Sequence, residues 1–571
     1  MWLPRLNRCD WALLIIGLVL FILSIIIIAG FPSLYATIVK HTLTLRQYED
    51  YSLSFGTFVF ANPAMTNVMN FYFFNVTNPD EVMYYGAKPQ LVEVGPFAVQ
   101  ESEHKKYIKT NEDGTAMFYE NYKMYNIRQD LSCDVCNWDG NLIFPNPTGV
   151  GTAHLLIEPQ YRVTRVGKFI ISLGILLLGQ YTFVSHPIRE FLFDGYDDSL
   201  LSFAHSNLVY DISGLLLGNR SVIPLPVPAM AKFAFFYQYN NTQDENYWVR
   251  TGKDDINRVG EIITWADHTE LPATWWDGSY ARSIRGSDTG TFAQMHLDES
   301  SKIPMFQSFL CRSFTASYYG RATIHGIPSY TFTVPAEEYD TTLELNEGFR
   351  YKNIEHRNYY PDWPNCPSYN SSHCLVETQV NCDLPQNYCN DCCNGSYIDG
   401  NYRLPPGILP MACYPGRYET IPFETFVSAP HFAYSPPEMV NSVRGLQPDL
   451  SRHIPLIYNH IPYSGSIIDV YFRMQANFPV LTIPEVWHFA NQPNKIIPMF
   501  WEDAHVEFSP HLLTYMQIAF VVVPILVTVV QWTMFGVSII ILAVFGLRIY
   551  LKYRKMKAME HPKWMSEVSR D

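Results

Sequence analysis

WALLIIGLVLFILSIIIIAGFPSLYATIV, residues Trp11 to Val39, carries no formal charge and lies between Asp10 and Lys40. A helix needs about 20 apolar residues to cross the hydrocarbon core of a bilayer. The densest part, Ala12 to Ala29, is almost entirely Leu, Ile, Val, Phe and Ala. The run exceeds the roughly 7–15 apolar residues of a signal peptide, and no small-residue cleavage site follows it. Residues 12–39 are therefore read as a retained transmembrane helix. Leu512 to Leu547 is a second uncharged run, longer than one crossing requires. Pro524 is expected to divide it, because proline removes a helical hydrogen bond. That places the span proper at Ile525 to Leu547 and a pre-membrane helix at Leu512 to Val523. The fold class is an α+β membrane protein, with two transmembrane helices flanking a large β-rich exterior.

Charge sets the orientation. The tail, residues 548–571, carries a net +4 and the stub, residues 1–11, a net +1. Lys and Arg favour the cytoplasmic side, so both termini are expected inside and residues 40–511 outside. The whole chain sums to −14, which leaves −19 on the exterior segment. An exterior of that sign argues against nucleic acid and generic polyanions as partners. Charged residues are only 16% of the chain against roughly 25% in an average globular protein, and much of the deficit lies in the two runs.

Cysteines and glycosylation sequons follow the same topology. Cys9 lies beside the first span on the inner side, as a spare thiol or a palmitoylation site. The other ten cysteines, Cys133, Cys136, Cys311, Cys366, Cys374, Cys382, Cys389, Cys392, Cys393 and Cys413, all fall in the exterior. An even count in an oxidising compartment reads as disulfides. Zinc is the alternative for the Cys133/Cys136 pair and the Cys389–Cys393 cluster, but no histidine pair stands at ligand spacing, and no metal or cofactor is expected. Sequons at Asn75, Asn219, Asn240, Asn370 and Asn394 are all exterior.

The exterior reads as short strands between Gly, Pro and Asn turns. Ser329 to Val334 (SYTFTV) and Ile468 to Met474 alternate polar and apolar residues at period two, the second with Asp469 and Arg473 on its polar face. Trp363 to Cys413 is rich in Cys, Pro and Asn and depends on cross-links. Gln160 to Ser185 stands apart. It is free of acid, opens with Arg162, Arg165 and Lys168, and continues as sixteen uncharged residues from Phe169 to Val184. That is short for a span. Two readings remain: a buried core helix, or a hydrophobic hairpin with a cationic entrance exposed for ligand contact. Catalytic signatures are missing: there is no G-x-S-x-G elbow, H-E-x-x-H helix, phosphate loop or dinucleotide fingerprint. Binding or transport is favoured over enzymatic activity.

Several short segments together resemble one family. They are Asn78–Met83 (NPDEVM), Leu91–Glu101 (LVEVGPFAVQE), Ile188–Ser202 (IREFLFDGYDDSLLS), Phe236–Thr242 (FYQYNNT), Thr251–Ile262 (TGKDDINRVGEI), Leu310–Phe314 (LCRSF), Gly326–Pro335 (GIPSYTFTVP), Ser428–Glu438 (SAPHFAYSPPE) and Ile497–Asp503 (IPMFWED). In this order, with two terminal spans, they resemble the class B scavenger receptors, the group of fatty-acid translocase, lysosomal integral membrane protein and the sensory neuron membrane proteins. The resemblance implies a β-rich ectodomain threaded by an apolar tunnel and capped by a small helical bundle at about residues 159–186. The implied partners are lipids (fatty acid, sterol or phospholipid) and lipoproteins or other protein ligands, and the lipid would enter near the cap and move toward the membrane. Arg162, Arg165, Lys168 and Phe169 would then meet the ligand. The Cys311–Cys413 pairing also carries over from its flanking residues.

Departures from the family pattern limit the transfer. Ala281 stands where the family stretch usually opens with cysteine, and the second half of the cap lacks the lysines of fatty-acid translocase. The tail lacks the terminal acidic-dileucine signal of the lysosomal member. The expected location is therefore the plasma membrane, with a lysosomal or endosomal membrane as the alternative. Two other functions compete: a receptor or adhesion protein for protein ligands, and a two-span ion channel, for which Thr528 and Gln531 are the available pore residues. Oligomeric state is left open.

Overall fold

The computed structural model describes residues 6–155, 165–204, 232–341, 343–350, 404–421, 424–484 and 486–565. Arg162, Asn219, Asn370, Asn394 and Cys366, Cys374, Cys382, Cys389, Cys392 and Cys393 lie outside these residues. The chain forms two compact units, one of Met1–Leu43, His325–Ile327 and Pro510–Asp571, the other of Thr44–Ile324 and Pro328–Ser509.

The first unit is built on two helices long and apolar enough to cross a membrane, Arg8–Leu43 and Pro510–Ala558. The first starts with a reciprocal cap. The Asn7 backbone N–H donates to Asp10 Oδ2 (3.0 Å), and the Asp10 N–H donates to Asn7 Oδ1 (2.9 Å). Asp10 is buried and also pairs with Arg548 (3.2 Å) and Lys552. This brings the start of the first helix against the Arg548–Lys552 stretch of the second, so the two helices run antiparallel. Gly17 sits directly against Leu542, where a Cβ would come within 2.8 Å, a small residue permitting close helix approach. Around this seam the side chains are apolar and exposed, among them Ile15, Ile22, Ile26, Val529 and Ile540.

Pro524 does not divide the second run as the sequence suggested. The helix passes through it, with a π-helical turn, Ile518–Val522, just before. In that turn the Val523 N–H reaches back to the Ile518 carbonyl. The next carbonyl, Ala519, would look to the N–H that Pro524 lacks, and the Tyr35 hydroxyl donates to it instead at 2.8 Å. A wider turn and a borrowed donor relieve the proline's defects.

The second unit is β-rich. Its strands are β1 (Met65–Val76), β2 (Leu91–Thr110), β3 (Ala116–Ile127), β4 (Asn141–Pro145), β5 (Phe183–Pro187), β6 (Thr242–Arg250), β7 (Ile262–Trp265), β8 (Ser287–Asp288), β9 (Lys302–Gln307), β10 (Arg312–Ile324), β11 (Ile327–Thr333), β12 (Ile408–Pro410), β13 (Phe426–Ser428), β14 (Leu456–His460), β15 (Ile467–Val480) and β16 (Lys495–Phe508). The main sheet runs β7-β6-β3-β2-β1-β16-β15-β14-β11-β10-β9-β8, with β13 laid against β15 and β12 against β13. Its two edges meet. Glu261, beside β7, bridges Ser287 in β8, and the Ile262 N–H donates to the Gly286 carbonyl at 2.9 Å. The sheet thus closes into a barrel and removes the unpaired edges that invite aggregation.

Closure depends on Gly286. Its φ is +77°, and a Cβ there would lie 1.9 Å from the Pro304 carbonyl oxygen. Gly286→Ala should therefore cost about 2–4 kcal/mol, from the left-handed backbone and the displaced strand together. A drop in thermal midpoint checks this, and an unchanged midpoint would mean the seam is loose.

Both strands read from alternation are strands: residues 329–333 lie in β11 and residues 468–474 in β15. Arg473 is not on a solvent face, however. It is buried, and its Nε donates to Asp503 Oδ1 at 2.7 Å. From Arg473 onward β15 is buried on both faces, whereas Ile468 and Val470 alternate with half-buried Asp469 and Tyr471 as the pattern implied.

Candidate functional site: the barrel interior and its helical cap

Period two carries side chains of β2 from Phe97 and Val99 to Glu101, Glu103 and Lys105 along one inward face. Register supplies the neighbours: Phe97 faces Phe71, Glu101 faces Tyr125 and Glu103 faces Lys123. The interior accordingly has two compartments.

The first is a packed aromatic cluster. Phe73 lies 5.4 Å from Phe500 and 5.9 Å from Phe97, ring centre to ring centre, and Phe71 lies 5.7 Å from Phe500. Phe191 joins Phe73 at 6.1 Å, and Phe235 stands edge-on to Phe500 at 5.1 Å. Such pairs add roughly 0.5–1.5 kcal/mol beyond their buried area.

The second is an ionic waist. Lys123 Nζ lies 3.4 Å from Asp244, 3.9 Å from Glu101 and 4.2 Å from the centre of the Phe309 ring. Lys105 pairs with Glu103 and stands 4.6 Å over the Phe60 ring. Glu502 is buried, and its Oε2 has no hydrogen-bond partner among the described residues. The same holds for the hydroxyls of Tyr119 and Tyr125. A small cleft lined by Lys123, Tyr125, Asp244, Phe309 and Arg417 has room for about one water molecule (≈10 Å³). The resemblance implied an apolar interior; among the described residues it is apolar over one compartment and charged over the other.

Burial dominates the acid–base behaviour here. It pushes the Glu502 carboxyl up to about 8, with the neighbouring Glu101 charge adding to the effect. It also raises Asp244, against the pull of Lys123. Burial acts on Glu103 too, but Lys105 and Lys123 overcome it and hold that carboxyl down to about 2. Outside the waist, burial lowers His460 to about 4, and burial together with the charges of His431 and Arg452 lowers His453 to about 4.

These shifts fix the pH profile of stability. Glu502 titrates at 4.5 when unfolded, so the folded state takes up its proton between pH 8 and 4.5, and stability rises as pH falls through that window. His460 titrates at 6.5 when unfolded, so stability falls as pH drops from 6.5 to 4. Asp244 acts in the same direction as Glu502, and His453 in the same direction as His460, so the two pairs oppose each other between 6.5 and 4.5, and below 4.5 the protonation of Glu103 adds a further loss. Stability should therefore be greatest between pH 4.5 and 6.5, on the order of 2–4 kcal/mol above its value at pH 8, and the thermal midpoint should peak in the same window. A maximum at pH 8 would contradict the assignment.

Two helices, Pro147–Leu155 and Arg165–Leu177, follow β4 and precede β5 in the chain, in the region where the resemblance implied a cap at residues 159–186. The second helix is neither wholly buried nor as long as the apolar run. Gly179, at φ +65°, ends it, and the run continues into β5. Only one face is covered. Ile175 joins the apolar cluster that contains Phe73, Phe97 and Phe500. The opposite face leaves Phe169 68% and Leu177 76% exposed, along with Val166 and Leu173. Arg165 is exposed and Lys168 half-buried in the first turns, where the helix dipole disfavours cations. The ends of these two helices are tied together by polar bonds: Thr148 Oγ1 donates to Asp198 (2.9 Å), Gln180 Nε2 donates to Asp198 (3.2 Å) and Asn146 Nδ2 donates to Gln180 (2.8 Å).

Other expected sites are placed as follows. Cys311 is bridged to Cys413, and Cys133 to Cys136 across a tight turn. Cys9 is an exposed free thiol. Asn75 is half-buried in β1 and accepts from the Ile143 N–H, while Asn240 is exposed and accepts from the Tyr125 N–H. Neither bond involves the amide nitrogen that a glycan would occupy. The waist residues Glu101, Glu103, Lys105, Lys123, Asp244 and Glu502 were not picked out by sequence. The available signal was the parity of β2, whose charges share a face with Phe97 and Val99.

Two helices long and apolar enough to cross a membrane, flanking a large β-rich unit, support a two-pass membrane protein. The chain belongs to the CD36 family, which it matches over residues 15–549. It is 38% identical to an uncharacterized Caenorhabditis elegans protein, R07B1.3, over 90% of this chain and 92% of that one. It is 23% identical to scavenger receptor class B member 1 of Bos taurus over 95% of this chain and 89% of the relative. Similarity to lysosome membrane protein 2 of Mus musculus is 30% over 52% of this chain and 56% of the relative.

Proposed function

We propose that the chain is a cell-surface scavenger receptor that takes lipid from particles at its cap and passes it through the barrel toward the membrane. The observation that best supports this is the cap helix, whose exposed face is apolar with a cationic end and whose buried face joins the aromatic cluster. Each CH₂ exposed to water costs about 0.8 kcal/mol, so an apolar conduit removes a large barrier for an acyl chain. Arg162, Arg165 and Lys168 supply charge for an anionic head group or an acidic particle surface. Reversing all three to Glu should reduce uptake of anionic lipid particles about tenfold or more, with surface expression unchanged. Undiminished uptake would remove the cap from the function.

A second reading, a receptor for protein ligands that moves no lipid, is favoured by the narrowness of the cleft at the waist. Transfer of labelled lipid into the cell without uptake of the particle's protein separates the two. The plasma membrane is the proposed location, with the lysosomal membrane as the alternative that the similarity to lysosome membrane protein 2 supports.

A further inference from the structure

The helix Phe55–Ala61 (FGTFVFA) lies twelve residues beyond the end of the first spanning helix at Leu43 and carries no charge. It is fixed to the chain that leaves that helix. The Arg46 N–H donates to Thr57 Oγ1 (2.6 Å), the Ser54 N–H donates to the Arg46 carbonyl (3.0 Å) and the Leu45 N–H donates to the Thr251 carbonyl (2.9 Å). Thr57 and Ala61 face inward and are buried. Phe60 is half-buried, its ring 5.4 Å from Tyr119 and 5.5 Å from Phe292, beside Lys105 at the end of the ionic waist. Phe55 and Phe58 point the other way, 60% and 56% exposed. The preceding turn adds exposed Tyr48 and Tyr51, the latter held in a left-handed conformation at φ +64° that a bulky side chain rarely adopts.

Four exposed aromatic side chains within eleven residues, on a segment hydrogen-bonded to Arg46, are poorly suited to water. They suit the boundary between lipid head groups and acyl chains, where Trp, Tyr and Phe accumulate. The uncharged run ends at Val39, seven residues before Arg46, and its helix ends at Leu43, which puts that boundary within reach. We propose that Tyr48–Phe58 is a membrane-contact segment, with Phe55 and Phe58 inserted into the outer leaflet of the bilayer that the chain spans. The same short helix then has Phe60 against the waist of the barrel and Phe55 and Phe58 in lipid, so it links the interior to the leaflet. The membrane contact itself does not depend on lipid transfer.

The test uses the full chain with Cys9→Ser, in phosphatidylcholine nanodiscs, with a nitroxide attached at Phe55→Cys or Phe58→Cys. Tyr85→Cys, on a residue 83% exposed beyond the far end of β1, serves as the aqueous reference, and the Cys9→Ser parent gives the labelling background. Collision with lipid-soluble oxygen should exceed collision with a water-soluble nickel chelate severalfold at residues 55 and 58, with the reverse at residue 85. Nickel accessibility at 55 and 58 equal to that at 85, or accessibility to neither reagent, would overturn the proposal. Lipid exposure at both sites in a protein that transfers no lipid would uphold it while removing the lipid-transfer reading.

Discussion

Serine in place of Cys311 or Cys413 should prevent the protein from reaching the cell surface at 37 °C. The bridge spans 102 residues. Closing a loop of that size removes about 4.7 kcal/mol of chain entropy from the unfolded state, and loss of a native bridge typically costs about 2–5 kcal/mol. Both sulfurs are fully buried, and Trp276 Nε1 donates to the Cys311 carbonyl at 2.7 Å. The bridge therefore ties the start of β10 to Cys413, at the far side of the Cys-rich segment. Glycan maturation and surface labelling measure the outcome. Normal maturation of Cys413→Ser would show that the barrel closes without its staple.

Lys123→Met should destabilise the folded protein by about 3–5 kcal/mol, the usual cost of leaving a buried charge without its partner. Methionine keeps most of the side-chain volume, so the loss reports charge. Asp244 and Glu101 would lose the ammonium that lies 3.4 and 3.9 Å away. Adding Asp244→Asn should recover part of the loss, with a coupling of about 0.5–3 kcal/mol. Chemical denaturation of the single and double variants measures both terms. A loss below about 1 kcal/mol would mean that water screens the waist, and the interior would then be wetter than its burial implies.

Much of the architecture could be read from sequence because it rests on local physics. An uncharged run such as Trp11–Val39 has few places to go except lipid, and Lys552, Arg554, Lys555 and Lys557 mark their side of the membrane. Family segments such as GIPSYTFTVP fall on β11, as alternation implied. Harder to read were features set by partners distant in sequence. Arg473 looks like a solvent residue until Asp503 is seen beside it. Glu101, Glu103 and Lys105 look like an outer face until closure through Gly286 turns that face inward. Pro524 looks like a break until the π turn and Tyr35 supply what it lacks. Residues 169–184 left two readings open, a buried helix or an exposed hairpin, because sequence cannot show that Ile175 is covered while Phe169 is not.

The transfer of lipid proposed above requires that lipid occupy the barrel interior. Full-length protein exposed to particles carrying a photoactivatable lipid, irradiated, digested and mapped by mass spectrometry, tests it directly. The account predicts adducts on peptides holding Phe97, Tyr125 and Phe500, lost when unlabelled lipid competes. Adducts confined to the spanning helices and the outer face of the cap would contradict it.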